Sequence, residues 1–267
     1  MKLERNQIDF YAEKGYLLLE NLFSADEINQ LLREMPGIIG EDSPRRILEK
    51  NGSVRTFFAP HLDNLLMNRF ATDERLLTPS RQLLQDDIYL YQSKLNTKFA
   101  MTGDWWDWHQ DYTYWKKDDG VKQPQMLTAM IYLNDVNEFN GPLLVIPGSH
   151  DSGSFDEEEN KVNVEDEKYE QYVLSEKYLT SLTADLKYTL KQKTIFDWAT
   201  EKGLASLKGK AGSVLFFHCN LFHASSNNMS PWDRHTYLLT YNAISNFPAD
   251  VLERRPDFLV NWNPTIL

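Results

Sequence analysis

Cysteine is almost absent from this chain of 267 residues, in which Cys219 is the single example. One cysteine excludes an internal disulfide and is typical of a protein kept in a reducing compartment. Long hydrophobic runs are also missing, since no apolar segment approaches the roughly 18 residues that a membrane span needs. The first residues contain no apolar run of the kind found in signal peptides. We therefore expect a cytoplasmic protein without a membrane partner.

Basic residues are in the minority: Lys and Arg number 28 against 39 Asp and Glu, giving a formal charge of −11 and a pI near 5.0. Such a surface repels phosphate backbones and anionic lipid, so nucleic acid is a poor candidate for a partner. Hydrophobic residues make up 42% of the chain, which is enough for a sizeable core. We find no linker or internal repeat, and we expect one domain over residues 1–267.

The first third of the chain predicts helices and a hairpin. Ser24 and Glu27 form the pattern of a helix-capping box, and Asn51-Gly52 favours a tight hairpin turn. Pro79 predicts a break in the last of these helices. The predicted elements are a helix over 4–14, a strand over 16–20, a helix from 24 to 35, strands over 46–49 and 54–58, and helical text over 65–84.

Short segments with turn signals between them dominate the rest of the chain, and residues 88–96 alternate at period two. Such segments predict strands, here following a helical N-terminal part. The fold class that fits is mainly β with flanking helices, built on a double-stranded β-helix, a jelly-roll or cupin-like core. The predicted strands cover residues 88–96, 127–133, 143–146, 212–217 and 235–241.

Residues 151–210 differ from the strands around them. The segment begins with a polar, acidic run at 156–160, which is typical of a solvated loop, and continues with charged, weakly helical text. Long loops in compact domains are usually functional or disordered. The segment is therefore either a disordered insert or a lid, and its second half favours a lid because it carries apolar side chains, among them Tyr188, Leu190, Ile195, Phe196 and Trp198.

His109-Gln110-Asp111 is the stretch around which a site can be built. In an extended segment the imidazole and the carboxylate share a face, while Gln110 points away. One imidazole and one carboxylate are two thirds of the facial triad that holds Fe(II) in non-haem oxygenases. The triplet alone is a weak signal, because a surface turn also explains it, so the hypothesis requires a third ligand.

Two downstream histidines, His218 and His223, compete for the role of third ligand. They lie five residues apart and would face opposite ways in a continuous strand. We favour His223, because Ser225 shares its face and Arg234 follows at the start of the next strand. His218 is the minority candidate, with packing among aromatic residues as its expected role.

These residue types suit a 2-oxo acid as co-substrate. Fe(II) held by two neutral imidazoles and one carboxylate keeps three positions free. A 2-oxo acid takes two of them through its C1 carboxylate and keto oxygen, and O2 takes the last. Its far carboxylate then needs a cation with a matching fork, which is the geometry of arginine, here Arg234.

These motifs resemble those of the phytanoyl-CoA hydroxylase family of Fe(II)/2-oxoglutarate-dependent oxygenases, and most closely its ectoine hydroxylases and hydroxylases of free L-leucine. The resemblance runs from the N-terminal helix to about residue 242. It implies that His109, Asp111 and His223 bind iron. The residues that it implies as contacts of 2-oxoglutarate are Gln92, Asn96, Trp115, Ser225 and Arg234.

Substrate choice depends on a few pocket positions, and Lys94, Trp106, Trp108 and Thr128 are the candidates. Lys94 stands where the ectoine-type strand has arginine, and it either points into the barrel towards a substrate carboxylate or is solvated. Each of three co-substrate candidates also has an alternative, structural role. Trp115 could simply pack in the core, and Gln92 and Asn96 could form hydrogen bonds with backbone groups inside the sheet.

The function that follows is hydroxylation of an unactivated C–H bond of a small polar substrate, a free amino acid or natural-product intermediate, with succinate and CO2 as products. Asp111 disfavours halogenation, because related halogenases replace this carboxylate with a small residue. Desaturation, ring formation and epimerisation stay open. The alternatives are an acyl-CoA hydroxylase of the same family and a non-catalytic jelly-roll binding protein. The sequence sets neither the substrate's identity nor the oligomeric state.

Overall fold

The computed structural model describes residues 1–153, 157–159, 167–176, 178–179, 182–183 and 186–267. Its strands are β1 (Tyr16–Leu19), β2 (Arg46–Leu48), β3 (Val54–Phe58), β4 (Ile88–Lys98), β5 (Trp106–His109), β6 (Met126–Tyr132), β7 (Leu143–Val145), β8 (Glu157–Glu159), β9 (Tyr188–Leu190), β10 (Ala205–Leu207), β11 (Val214–His218), β12 (His223–Ser225) and β13 (Arg234–Ala243).

The helices are α1 (Arg5–Lys14), α2 (Ala25–Ile39), α3 (Leu65–Ala71), α4 (Glu74–Leu84), α5 (Asp111–Asp119), α6 (Glu167–Ser175) and α7 (Gln192–Lys202). Short 3₁₀ turns cover Pro60–Leu62, Ser149–Ser152 and Ile244–Asn246. No helix among the described residues is both long enough and apolar enough to cross a membrane.

Two antiparallel sheets face each other. The larger has the order β1-β11-β6-β13-β4-β3-β2 and the smaller β10-β7-β12-β5, while β8 and β9 form a separate ribbon. Inward side chains of both sheets make one buried layer, in which Met130, Phe217 and Leu238 of the larger sheet meet Leu143 and Val145 of the smaller. This arrangement is the predicted jelly-roll core with flanking helices.

The N-terminal helices cover the outer face of the larger sheet. Leu31 and Met35 of α2 belong to the same buried cluster as Phe216 of β11 and Leu239 of β13, whose side chains point away from the facing sheet. Both faces of β6, β11 and β13 are buried, and β6 and β11 are accordingly mostly apolar along their length.

The predicted capping box is present, since the Glu27 N–H donates to Ser24 Oγ (3.3 Å) and the Ser24 N–H donates to Glu27 Oε2 (2.8 Å). The predicted break at Pro79 is wrong. The helical text divides instead at Thr72–Asp73, where Asp73 caps the N-terminus of α4, and Pro79 lies buried within α4. Packing of this helix on the core outweighs the hydrogen bond that proline removes.

The expected lid over 151–210 lies partly outside the described residues, as does most of the acidic run at 156–160. Within the described part, α6, β9, α7 and β10 belong to this segment. The N–H of Tyr188 in β9 donates to the hydroxyl of Tyr114, which in turn donates to the Tyr188 carbonyl (3.0 and 2.8 Å).

Candidate active site

A cavity that opens to solvent lies between the two sheets. It brings together most of the residues that the sequence pointed to. Those that line it are Gln92, Lys94, Asn96, Trp106, His109, Asp111, Trp115, His223, Ser225 and Arg234.

His109, Asp111 and His223 converge on one point of this cavity. Antiparallel pairing of β5 with β12 places His109 opposite His223. The Nε2 atoms of His109 and His223 lie 3.7 and 3.9 Å from the Asp111 carboxylate oxygens. One candidate ligand atom from each residue lies within 4.8 Å of the other two. This donor set of two imidazoles and one carboxylate fits the facial geometry of a non-haem iron site.

Both imidazoles are oriented by backbone carbonyls. The Nδ1–H of His109 donates to the Asp107 carbonyl (2.6 Å) and that of His223 to the Leu221 carbonyl (2.8 Å). Such bonds fix the ring and leave Nε2 as the metal-binding atom. Burial and the neighbouring His223 lower the pKa of His109 to about 3, so its ring is neutral and able to coordinate at neutral pH. The residues therefore fit an iron ion.

The expectation that the His109–Asp111 segment is extended throughout is wrong for its last residue. His109 ends β5, and Asp111 is the first residue of α5. Gln110 does point away as expected, and its buried amide donates to the Asn220 carbonyl (2.8 Å) and the Gly153 carbonyl (3.1 Å). The strand-to-helix junction brings the carboxylate to the site by a turn instead of by alternation.

A bulge in β5 decides which tryptophan lines the cavity. His223 pairs with His109 but Ser225 pairs with Trp106, so two residue steps on β12 oppose three on β5. The extra residue breaks the alternation, and Trp106 shares the cavity face with His109. Trp108 packs elsewhere, in an apolar cluster with Trp198 of α7, and its predicted place in the substrate pocket is not supported.

Thr128 also falls outside the cavity lining. Its hydroxyl lies 2.9 Å from that of Thr240 on the neighbouring strand, and both residues are buried. The two hydroxyls satisfy each other because β6 and β13 place them side by side. Thr128 is therefore part of the sheet interior, and the predicted substrate contact is not supported.

Arg234 enters the cavity wall at the first residue of β13. Its Nε and Nη2 atoms donate to the Gly141 carbonyl (3.1 and 2.5 Å), which leaves further N–H donors for a ligand. Burial lowers its pKa to about 10, so it is still a cation at neutral pH. Gly141 has φ +78°, and a Cβ there would lie 2.6 Å from the Ser226 carbonyl. This turn thus requires glycine where the arginine is anchored.

The other predicted co-substrate residues line the cavity while also serving the sheet. Gln92 donates through Nε2 to the Leu259 carbonyl (2.6 Å), and Asn96 Oδ1 accepts from the Thr56 hydroxyl (2.9 Å). Trp115 packs edge-on against the ring of Tyr91, with 5.5 Å between ring centroids. Each of these three side chains has a structural partner and a face on the cavity.

His218 does not lie with the triad. Its Nδ1 accepts from the N–H of Asn220 (3.0 Å), and its ring packs at a tilt against that of His150, with 5.3 Å between centroids. It is absent from the cavity lining. In the described structure His218 therefore has a packing role, which is the role expected for it from the sequence.

Lys94 is an inward-facing cation of the cavity. Its amine lies 5.9 Å from the centroid of the Phe58 ring. Among the described residues no carboxylate lies within ion-pair distance of this amine, although Asp111 is close enough to act on it through space. Burial lowers the pKa of Lys94. Lys94 thus lines the cavity while remaining half-buried.

Sequence reasoning missed several lining residues, above all Arg255. Its guanidinium binds the buried carboxylate of Asp119 (2.6 and 2.5 Å), which also accepts from the Tyr91 hydroxyl. No local pattern joins residues so far apart in the chain. Tyr114 was also missed, although its place one helical turn after Asp111 gave a signal. Leu182 and Leu186, from the inserted segment, complete the apolar wall.

A family model described as Phytanoyl-CoA dioxygenase (PhyH) matches residues 11–236. An ectoine dioxygenase from Bordetella bronchiseptica is 33% identical, over 96% of this chain and 82% of its own length. An L-proline trans-4-hydroxylase from Streptomyces griseoviridis is 34% identical, over 96% of this chain and 91% of its own.

Comparison with solved structures points to the same family. EctD from S. alaskensis with 2-oxoglutarate and 5-hydroxyectoine is similar with a TM-score of 0.78 and 29% identity, covering 97% of this chain and 84% of that one. The same protein with bound Fe gives a TM-score of 0.80 at 28% identity, covering 99% and 86%. The chain therefore belongs to the phytanoyl-CoA dioxygenase family, and it is a non-haem iron dioxygenase that uses 2-oxoglutarate to hydroxylate a small molecule.

Proposed function

We propose that the protein hydroxylates a small zwitterion that carries a carboxylate, such as a free amino acid. In this proposal His109, Asp111 and His223 bind Fe(II), and Arg234 binds the far carboxylate of 2-oxoglutarate. The observation that supports it most is the convergence of the three candidate ligands in the cavity, with both Nδ1 atoms held by carbonyls. When bound, Fe(II) and 2-oxoglutarate activate O2 for attack on an unactivated C–H bond.

The chain's own residues position the reactants. His109 and His223 would hold Fe(II) through their Nε2 atoms and Asp111 through its carboxylate, and this donor set would still allow 2-oxoglutarate and O2 to bind. Arg234 offers the fork that a carboxylate fits, and its bonds to Gly141 keep it in place. Ser225 and Asn96 lie in the same cavity and supply further polar contacts for the co-substrate, together with Gln92. Trp115 forms one wall of the co-substrate site.

Charge in the cavity supports a carboxylate-bearing substrate. The carboxylate of Asp111 and the two carboxylates of 2-oxoglutarate balance Fe(II) and Arg234, and Asp119 balances Arg255. Lys94 then adds a further positive charge at the half-buried cavity wall, where burial disfavours an unpaired ion. A substrate carboxylate would pair with it, while Trp106 would bound the substrate's apolar part.

The relatives support the same substrate class. Ectoine dioxygenases and an L-proline trans-4-hydroxylase match over almost the whole chain, and both named substrates are small. Lys94 replaces the arginine of the ectoine-type strand, so we favour an amino acid over ectoine. The acyl-CoA alternative is the weaker one, because the chain is acidic and a CoA moiety needs a cationic patch.

We also propose that the chain is one domain over residues 1–267 and that part of 151–210 acts as a lid. Leu182 and Leu186 of this segment line the cavity, and Tyr188 is tied to Tyr114 near the iron ligands. A cytoplasmic location suits the single buried thiol. We propose neither nucleic acid nor membrane as a partner.

The test is an anaerobic titration of metal-free protein with Fe(II) and 2-oxoglutarate, followed by the visible metal-to-ligand charge-transfer band. Wild type and the matched control His218→Asn should show the band, and His223→Ala should lose it. A band that persists in His223→Ala and vanishes in His218→Asn would overturn the ligand assignment. Without any band in the wild type at saturating metal, the proposed co-substrate site fails.

A second experiment addresses the substrate. Succinate formation is measured with free amino acids, ectoine, and the amides of the same amino acids, in which the carboxylate charge is absent. We expect turnover with one or more free amino acids and little with the matching amides. Equal turnover of the acid and the amide would contradict the assigned carboxylate contact while leaving the iron site intact.

A further inference from the structure

Arg55 of β3 is a buried arginine that the proposed chemistry does not use. Only 1% of its surface and 3% of that of its partner Glu49 is exposed. Its Nη1 atom binds both Glu49 carboxylate oxygens (2.9 and 3.0 Å), and Nη2 donates to the Trp105 carbonyl (2.7 Å). The guanidinium carbon lies 3.6 Å from the centroid of the Trp106 ring. One side chain thus contacts the backbone just before the strand that carries His109 and the indole of the first residue of that strand.

This strand, β5, needs such support for two reasons. It is the edge of the smaller sheet, so that among the described strands of that sheet it pairs only with β12. Its bulge also interrupts the ladder of hydrogen bonds between Trp106 and His109. The Arg55 bond to Trp105 adds a fixed contact one residue before the bulge begins.

The buried pair itself is weak evidence for a purely stabilising role. Removing two charges from water offsets most of their attraction, and such pairs are often replaceable by apolar residues. What apolar residues cannot supply is a donor for the Trp105 carbonyl and a flat cation over the indole face. Arginine provides both, whereas lysine has no planar group to stack on the ring.

We infer that Arg55, held by Glu49, is a positioning residue that fixes the Trp106 indole as a wall of the substrate cavity. It acts through Trp106 and touches neither iron nor co-substrate. The inference rests on the proposed function for its kinetic consequence, but the placement of the indole can be tested without any ligand. Loss of the stack would let the ring leave its place, so that substrate fit would suffer before metal binding does.

A double-mutant cycle tests this inference with wild type, Arg55→Lys, Trp106→Phe and the double variant. The first measurement is the near-ultraviolet circular dichroism of the tryptophans in ligand-free protein. We expect Arg55→Lys to change this spectrum in the wild-type background and to change it little in the Trp106→Phe background. Equal changes in both backgrounds would mean that Arg55 does not act through Trp106, and would overturn the inference.

The kinetic arm uses the most active compound of the amino-acid screen. Arg55→Lys should raise the KM for this compound about tenfold, corresponding to roughly 1.4 kcal/mol, and should leave the co-substrate KM within twofold of the wild-type value. It should also raise the ratio of succinate to hydroxylated product. An unchanged substrate KM and an unchanged ratio would contradict the inference. Glu49→Gln, which keeps Arg55, is the second variant and should show the same pattern more weakly.

Arg75→Lys is the matched control. Arg75 also binds a glutamate, Glu27, and also stacks on an aromatic ring, that of Phe23 (4.1 Å), but it lies in the outer helical layer. It should lose stability without any change in substrate KM. The charge-transfer band with Fe(II) and 2-oxoglutarate distinguishes a failure of the proposed function from a failure of the inference about Arg55. If all variants lack it, the proposed function fails, while the spectral cycle still decides the role of Arg55.

Discussion

Lys94 shows how a single charge can set substrate preference. Its amine lies in the cavity, and the described residues offer it no ion pair. A hydrogen bond between a charged donor and a charged acceptor contributes about 1.5–3 kcal/mol. Lys94→Met should therefore raise the KM for an amino-acid substrate about tenfold or more and leave the co-substrate KM unchanged, as measured by steady-state succinate formation.

Lys94→Arg is the control for that prediction, because it keeps the charge and reaches further. It should retain more of the activity than Lys94→Met does. If Lys94→Met impaired the amide and the free acid of the same compound equally, the lysine would be filling space and not binding a carboxylate.

Among single residues, those with a local pattern were predictable and those with only distant partners were not. The two-residue spacing of His109 and Asp111 indicated a pair of metal ligands. The position of Arg234 at the start of the strand after His223 likewise indicated that these two residues belong to one site. Arg255 reaches the cavity through Asp119, which lies 136 residues away in the chain. Arg55 likewise acts on Trp106 across 51 positions of sequence, and no periodicity encodes such a contact.

At the level of elements, the strands could be recognised as short apolar segments between turn signals, and period-two alternation marked β4 in particular. The prediction of β4 over 88–96 falls inside the observed Ile88–Lys98. Alternation misplaced Trp108, because a bulge depends on the register between two strands and not on either strand alone. The start of α5 at Asp111 was missed for a similar reason, since the tertiary environment of the junction decides where extension stops.

The contact between α2 and α4 has a pH dependence that can be derived. Arg75 of α4 binds Glu27 of α2 and also Asp73, the N-cap of its own helix, and the hydrogen bond from Arg75 lowers the pKa of Glu27 from 4.5 to about 2. A depressed pKa means that the carboxylate stabilises the fold above pH 4.5. The stabilisation is lost as pH falls from 4.5 towards 2.

We therefore expect Arg75→Met to lower the free energy of unfolding by about 1 kcal/mol near neutral pH, the range for partly exposed pairs. The difference from wild type should shrink at pH 3. Urea unfolding at both pH values measures it, with the exposed pair Lys193–Asp197 of α7 as control through Lys193→Met. A difference that grew on acidification would show that the sign assigned to Glu27 is wrong.

On the scale of the whole molecule, the proposed ligands join the two sheets. The metal would be held by His109 and His223 of the smaller sheet, and 2-oxoglutarate would connect it to Arg234 of the larger. A ligand at one hundred times its Kd stabilises the folded state by about 2.7 kcal/mol. Mn(II) alone should thus raise Tm, and 2-oxoglutarate should raise it further by several degrees.

Arg234→Met should keep the Tm increment from Mn(II) and lose the additional one from 2-oxoglutarate, as followed by thermal unfolding with and without each ligand. Comparing increments removes any effect of the substitution on basal stability. An undiminished increment from 2-oxoglutarate in Arg234→Met would assign the carboxylate to another cation.

The global fold was predictable because short alternating strands after a helical start fit few architectures. The inserted segment was not, since charged and weakly periodic text does not say what it packs against. The described part shows Leu182 and Leu186 at the cavity, contacts that depend on where the chain returns in space.

The single thiol makes it possible to measure how often the folded protein opens. Cys219 is fully buried, its Sγ donates to the Pro124 carbonyl (3.3 Å), and burial raises the pKa of its thiol, which disfavours the reactive thiolate. A thiolate is the nucleophile that attacks an alkylating reagent, and the reagent can reach Cys219 only when the interior around β11 opens. The rate at which Cys219 is alkylated then reports how often this region opens, and no second cysteine contributes to the signal.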